Sequence, residues 1–221
     1  KKILFESRND NLILKLRDNI RKTCDKGGKL IFVGNGASAS LASHAATDFT
    51  KQAKVRAIAF NDHNLITALS NDYGYDQWVV KALDFYSSKN DRAIFISVSG
   101  NSPNLINGLK YAKSQFIDNA SLTGSSRDNF LKSHSDCSLW VNSKAYNIIE
   151  NTHQIWLLIV CDMLVGKTLY GHNTRIDFSW EKGEVLGLIY KKAPPTINDL
   201  QDKIIANKSK EVADILNSYS I

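Results

Sequence analysis

With 221 residues, 43% hydrophobic and 23% charged, the chain has the balance of a folded globular protein and the length for one ordinary domain plus an appendage, which excludes a disordered segment. Three cysteines (Cys24, Cys137, Cys161) without a CxxC exclude a disulfide framework, and together with an opening "KKILFESRNDN" that has no secretory core they predict a cytoplasmic protein. The net charge of +6 is scattered rather than interleaved with aromatics, and the longest apolar candidate, 155–165, is broken by Asp162, so neither a nucleic-acid nor a membrane partner is expected.

In chain order, residues 11–25 place Leu12, Leu14, Leu16, Ile20 and Cys24 at partly helical spacing, and Gly27-Gly28 stops that helix. "KLIFVG" (29–34) is a continuous apolar run, the pattern of a parallel strand buried on both faces. A helix follows from about Ser38. "VRAIAF" (55–60) reads as the second strand. "NLITALSND" and "DQWVVKALDFY" are helical and split at Tyr73-Gly74. "RAIFIS" (92–97) is the third strand, and 102–115 a helix with Ser102 as cap and Pro103 at its first position. "ASLTG" (120–124) and "CSLWVN" (137–142) are shorter strands, and 146–170 a long, mostly apolar helix. Past Gly171 the periodicity weakens, and a polar helix from about Thr196 closes the chain. Residues 172–221 therefore read as an arm and helix appended to a domain at 1–171, with Trp180 and Tyr190 read first as core packing and otherwise as aromatics reaching the pocket of a neighbouring subunit. Alternating strands and helices predict an α/β fold, a parallel sheet with helices on both faces, and ligands at the carboxyl ends of the strands.

Two strand-to-helix turns are rich in the groups that bind phosphate. Gly34-Asn35-Gly36-Ala37-Ser38 follows the first strand, and "SVSGNSPN" (97–104) the third. Glycine allows close backbone approach, helix N-termini attract anions, and Ser97, Ser99 and Ser102 add three hydroxyl donors. Plain helix capping explains Ser102 but not three serines around Gly100-Asn101. The spacing of Gly34, Gly36 and Ala39 also fits a dinucleotide loop, with Asp62 near the place of a ribose-binding acid. That fingerprint alone is weak, and it does not call for a second hydroxyl-rich loop. A phosphate monoester, and no NAD, is the expected ligand.

"GNGASASLASHAATDF", "AFNDHNLITALSNDYGY", "ISVSGNSPN" and "SLTG", in this order, resemble the sugar isomerase (SIS) domain and most closely its phosphoheptose isomerase branch. The resemblance spans about 25–171. It implies a flavodoxin-like sheet, a homotetramer or dimer with active sites at subunit interfaces, and conversion of sedoheptulose 7-phosphate to a heptose 7-phosphate for surface polysaccharide synthesis. It implies that Ser38, Ser97, Ser99 and Ser102 hold the phosphate, with Gly36 and Asn101 in the same loops, and that Asn35 and Asp72 contact the sugar. His44 matches a metal-binding histidine, and Asp48, at i+4 on the same helix face, a catalytic and metal-binding glutamate one methylene longer. Glu150 stands where the family usually has glutamine. A zinc ion on His44, Asp48 and Glu150 is therefore implied, with Asp48 as the base.

The chain departs from the family at Leu158, where a second catalytic histidine is expected, and at Asn147, where aspartate is common. His153 is the nearest substitute acid; its other reading is a packing histidine between helices. The loss at Leu158 also keeps open a second function, a non-catalytic SIS domain that senses a sugar phosphate or binds a partner protein. These two readings divide on whether a bound sugar phosphate is turned over.

Overall fold

The structure is a computed structural model that describes residues 7–166. The arm and helix expected over 172–221, with Trp180 and Tyr190, lie outside the described residues. Five parallel strands form one sheet: β1 (Leu30–Gly34), β2 (Ala57–Ala59), β3 (Arg92–Ser97), β4 (Asp118–Thr123) and β5 (Ser138–Trp140). Their order is β2-β1-β3-β4-β5, the doubly wound arrangement expected of a flavodoxin-like fold.

Strand alternation feeds two core layers. Leu30, Phe32, Ile94, Ile96, Ala120 and Leu122 face α1 (Ser7–Asp25), α2 (Ala37–Lys51) and α7 (Tyr146–Val165). Ile31, Val33, Ala93 and Phe95 face the other layer, which holds α3 (His63–Tyr73), α4 (Trp78–Tyr86), α5 (Pro103–Ser114) and α6 (Phe130–His134). Both faces of the central strands are covered, which is why those strands read as unbroken apolar runs. The amino-terminal edge of the sheet is tied by charge: Arg92, 3% exposed, donates to Asp118 Oδ2 (2.9 Å) and Thr23 Oγ1 (3.1 Å), and Asp91 accepts from both the backbone and the side chain of Lys29.

Several boundaries differ from the sequence reading. In α1 the buried stripe is Ile13, Leu16, Ile20 and Thr23, while Cys24 is exposed. β2 and β5 have only three residues each, because they lie at the two sheet edges and pair on one side only. α7 closes at Val165 rather than running to 170, with Gly166 in the left-handed conformation (φ 87°) that ends helices. α6 was not legible as a helix; one turn capped by Asn129, it is too short to show a period. Among the described residues α7 is long and apolar enough to cross a bilayer, which the 155–165 reading missed, but half of it is buried in the fold as a core helix.

Candidate active site

β1 and β3 are neighbours, yet the chain leaves them in opposite directions, toward β2 and toward β4. Their carboxyl ends therefore open a crevice, and the two serine- and glycine-bearing turns meet there. At Gly34 a Cβ would lie 2.6 Å from the Ser38 carbonyl, so only glycine permits the sharp entry into α2. Gly36 follows in a positive-φ conformation (56°) at the head of α2, and Ser38 is buried beneath the turn. Asn35 and Asn104 exchange amide hydrogen bonds across the crevice (3.0 and 2.9 Å), and the Tyr75 hydroxyl donates to Asn35 Oδ1 (3.3 Å). Asp72 stays exposed at the end of α3, bonded to its neighbour Asn71. Asp62, the residue that a ribose-binding reading would use, caps α3 by accepting from Leu65 N–H (3.0 Å).

The loop after β3 is organised by its own hydroxyls. Ser97 Oγ accepts from Gly100 N–H (3.0 Å) and Ser99 Oγ from Asn101 N–H (3.2 Å), which leaves each hydroxyl proton free to donate. Ser102 occupies the cap position of α5 but makes no side-chain cap bond, contrary to the simple capping expectation. The loop is clamped from behind. Gly100 has φ 66°, and a Cβ on it would lie 1.9 Å from Asn129 Oδ1. Asn129, 1% exposed, donates to Thr123 Oγ1, Gly124 O and Ser126 O, while Asn101 Oδ1 accepts from Phe130 N–H (2.9 Å) and Gly100 O from Leu131 N–H. Asn101 thus spends its oxygen on α6 and keeps only its amide N–H groups for a ligand.

The second half of the site is the groove between α2 and α7, lined by Leu41, His44, Ala45, Asp48, Phe49, Gln154, Leu157, Leu158 and Cys161. His44 and Asp48 meet as the i, i+4 spacing predicts, with Nε2 and Oδ2 3.0 Å apart. Gln154 Nε2 lies 3.1 Å from His44 Nδ1, and Gln52 Nε2 donates to Asp48 Oδ1 (2.8 Å). The four side chains form one continuous hydrogen-bonded row. Leu158 lies in the same groove, where a histidine was expected.

Two sequence expectations need correction here. His153 does not enter this groove. It is fully buried, its Nε2 lies 3.1 Å from the Thr123 carbonyl, and its Nδ1 has no partner. Burial pushes its pKa down to about 4 against the opposing pull of the Thr123 carbonyl, so the ring is neutral and packs rather than delivering protons to the groove. Glu150 does not complete a metal site. Among the described residues no three His, Cys, Asp or Glu side chains gather to hold an ion, and the side chain that reaches His44 is Gln154, one turn further along α7. Residues that sequence reading missed are Gln154, Asn104, Asn129 and Tyr75. Asn104 sits inside the quoted "SGNSPN", and Gln154 shares a helical stripe with Glu150 and Leu158, so both had a signal; Asn129 had none.

The sequence model of the SIS domain matches residues 3–124. A phosphoheptose isomerase of Helicobacter pylori (strain HPAG1) is 37% identical over 150 residues, covering 65% of this chain and 77% of that protein. One of Thermodesulfovibrio yellowstonii is 33% identical over 166 residues, 72% of this chain and 82% of that protein. Among solved structures, phosphoheptose isomerase of Neisseria gonorrhoeae superposes with a TM-score of 0.65 at 28% identity, covering 70% of this chain and 86% of that one.

Proposed function

The chain belongs to the SIS domain family, in its phosphoheptose isomerase branch, and from that premise we propose that it is a sugar-phosphate isomerase interconverting sedoheptulose 7-phosphate and a heptose 7-phosphate through an enediol. The observation that carries this reading is the crest over β1 and β3. Three serine hydroxyls with free protons stand on a loop clamped by Asn129, beside the head of α2. Such a set matches the oxygens of a phosphate monoester and leaves the sugar chain to run toward the α2–α7 groove. Ser97, Ser99 and Ser102 hold the phosphate, with Gly36, Ser38 and the Asn101 amide around it, and Asn35 and Asp72 meet the sugar.

Proton transfer between C1 and C2 needs a base, and two carboxylates stand on the facing helices: Asp48, which lines the groove from α2, and Glu150, one turn before Gln154 on α7. The residues do not fit a zinc ion within this chain. His44 and Asp48 supply only two donors in the groove, and a leucine stands where a third would be. No step is therefore assigned to a metal.

An interfacial active site in a dimer or tetramer also belongs to this reading. It is supported by the apolar outer side of the α7 start, where Tyr146 is 64% and Ile148 45% exposed. Light scattering on the purified protein tests it. The activity test is incubation with sedoheptulose 7-phosphate, with and without zinc, following heptose phosphate by anion-exchange chromatography. Turnover supports the isomerase. Binding without turnover replaces it with the sensor, the reading that Leu158 in the groove favours.

A further inference from the structure

The carboxylates on the two facing helices, Asp48 in the groove and Glu150 one turn before Gln154, differ in what they already hold. Asp48 is the more enclosed, its side chain 13% exposed, and both of its oxygens are occupied, Oδ1 by Gln52 and Oδ2 by His44. His44 is likewise held at both ring nitrogens. Asp48 is therefore fixed in place by a partner on each oxygen. Glu150 is half-buried, and its side chain makes no hydrogen bond or ion pair among the described residues.

Its place follows from how α7 is hung. The helix starts at the carboxyl edge of the sheet: Ile149 packs where a Cβ on Gly124 would go, and His153 reaches the carbonyl of Thr123, the last residue of β4. α2 starts at the same edge, directly after the β1 turn. Glu150, Gln154 and Leu158 fall on one stripe of α7. Gln154 touches His44 and Leu158 lines the groove, so the stripe faces α2. Glu150 is then the member of that stripe nearest the phosphate crest, about 6 Å above Gln154.

Building on the isomerase reading, we propose that Glu150 carries the proton between C1 and C2, without a metal, and that the Gln52–Asp48–His44–Gln154 row is the fixed wall behind it. Starting from the ketose, the Glu150 carboxylate takes a proton from C1. The C–H electron pair becomes the C1=C2 bond, and the carbonyl π pair moves to O2, which is protonated from water. In the second half the O1 proton returns to water, C1=O forms, and the C1=C2 pair takes the proton from Glu150 at C2. Nothing is consumed, and the water proton is returned.

The test compares Glu150→Gln with Asp48→Asn and the parent protein in D2O. Glu150→Gln is expected to lower kcat by about 1,000-fold with KM within about threefold, and to lose deuterium incorporation into the product at the same time. A sugar-phosphate shift in melting temperature equal to the parent's shows that Glu150→Gln is folded and still binds. The parent, equilibrated with zinc and desalted, is expected to retain none by elemental analysis and to be indifferent to chelator. The proposal is overturned if Glu150→Gln keeps kcat within about tenfold while Asp48→Asn abolishes it, or if the parent holds stoichiometric zinc whose removal stops exchange. A parent that binds the sugar phosphate but exchanges no deuterium overturns the isomerase reading itself, a separate failure.

Discussion

The phosphate crest and the α2–α7 groove are two halves of one site built on opposite principles. The crest is made by backbone within short loops: Gly34 and Gly36 shape one turn, Gly100 the other, and the serines bond to N–H groups two or three residues away. The groove is made by side chains from two helices 110 residues apart in sequence, His44 against Gln154. Contacts internal to a loop travel with the motif, so the crest could be read from a short string of residues. Contacts between helices depend on helix rotation, so which side chains of α7 meet α2 could not be read from spacing alone.

Gly100→Ala breaks the crest most severely. It adds the cost of a left-handed alanine to a collision with Asn129, about 3 kcal/mol together, read as a lower urea midpoint with a raised KM. The region behind it has a comparable pH sensitivity. His153 has a folded pKa lowered to about 4 from 6.5, so between those values the unfolded chain binds a proton that the folded chain refuses. Stability is full above pH 6.5 and falls as pH drops toward 4, by about 3 kcal/mol, and a His153→Gln variant is expected to flatten that slope in denaturant titrations.

Single alanine substitutions of Ser97, Ser99 or Ser102 each remove one bond to a charged phosphate, about 1.5–3 kcal/mol, seen as roughly 10- to 100-fold higher KM with kcat nearly kept. If kcat falls instead, the crest and groove are not the separable halves described. On the groove side, Leu158→His supplies the missing third donor beside His44 and Asp48 and is expected to confer zinc binding by calorimetry where the parent shows none. The smallest effect belongs to Gln154→Ala. It releases His44 Nδ1 at a cost of about 1 kcal/mol, measurable as a small fall in melting temperature and a shifted His44 ring nitrogen resonance.

The parallel sheet was legible because both faces of β1 and β3 are buried, which forces an unbroken run of apolar residues that no surface strand shares. The serine loop was legible because its chemistry is a short string. Pairing His44 with Asp48 needed only helix spacing. Choosing between Glu150 and Gln154 as the side chain that meets His44 needed the axial position of α7, which Ile149 on Gly124 and His153 on Thr123 set. α6 and its cap Asn129 had no periodic signal in five residues.

By itself, then, the sequence determined the layers, the strand-end crevice and the phosphate-binding turns, since each follows from local spacing, burial pattern or a glycine that nothing else can replace. Only the tertiary structure decided which side chains of α7 face α2, that His153 is a buried neutral ring, and that the Glu150 side chain has no partner among the described residues. Those facts depend on how one helix is rotated and hung on the sheet, a balance of packing contacts that spacing along the chain does not contain.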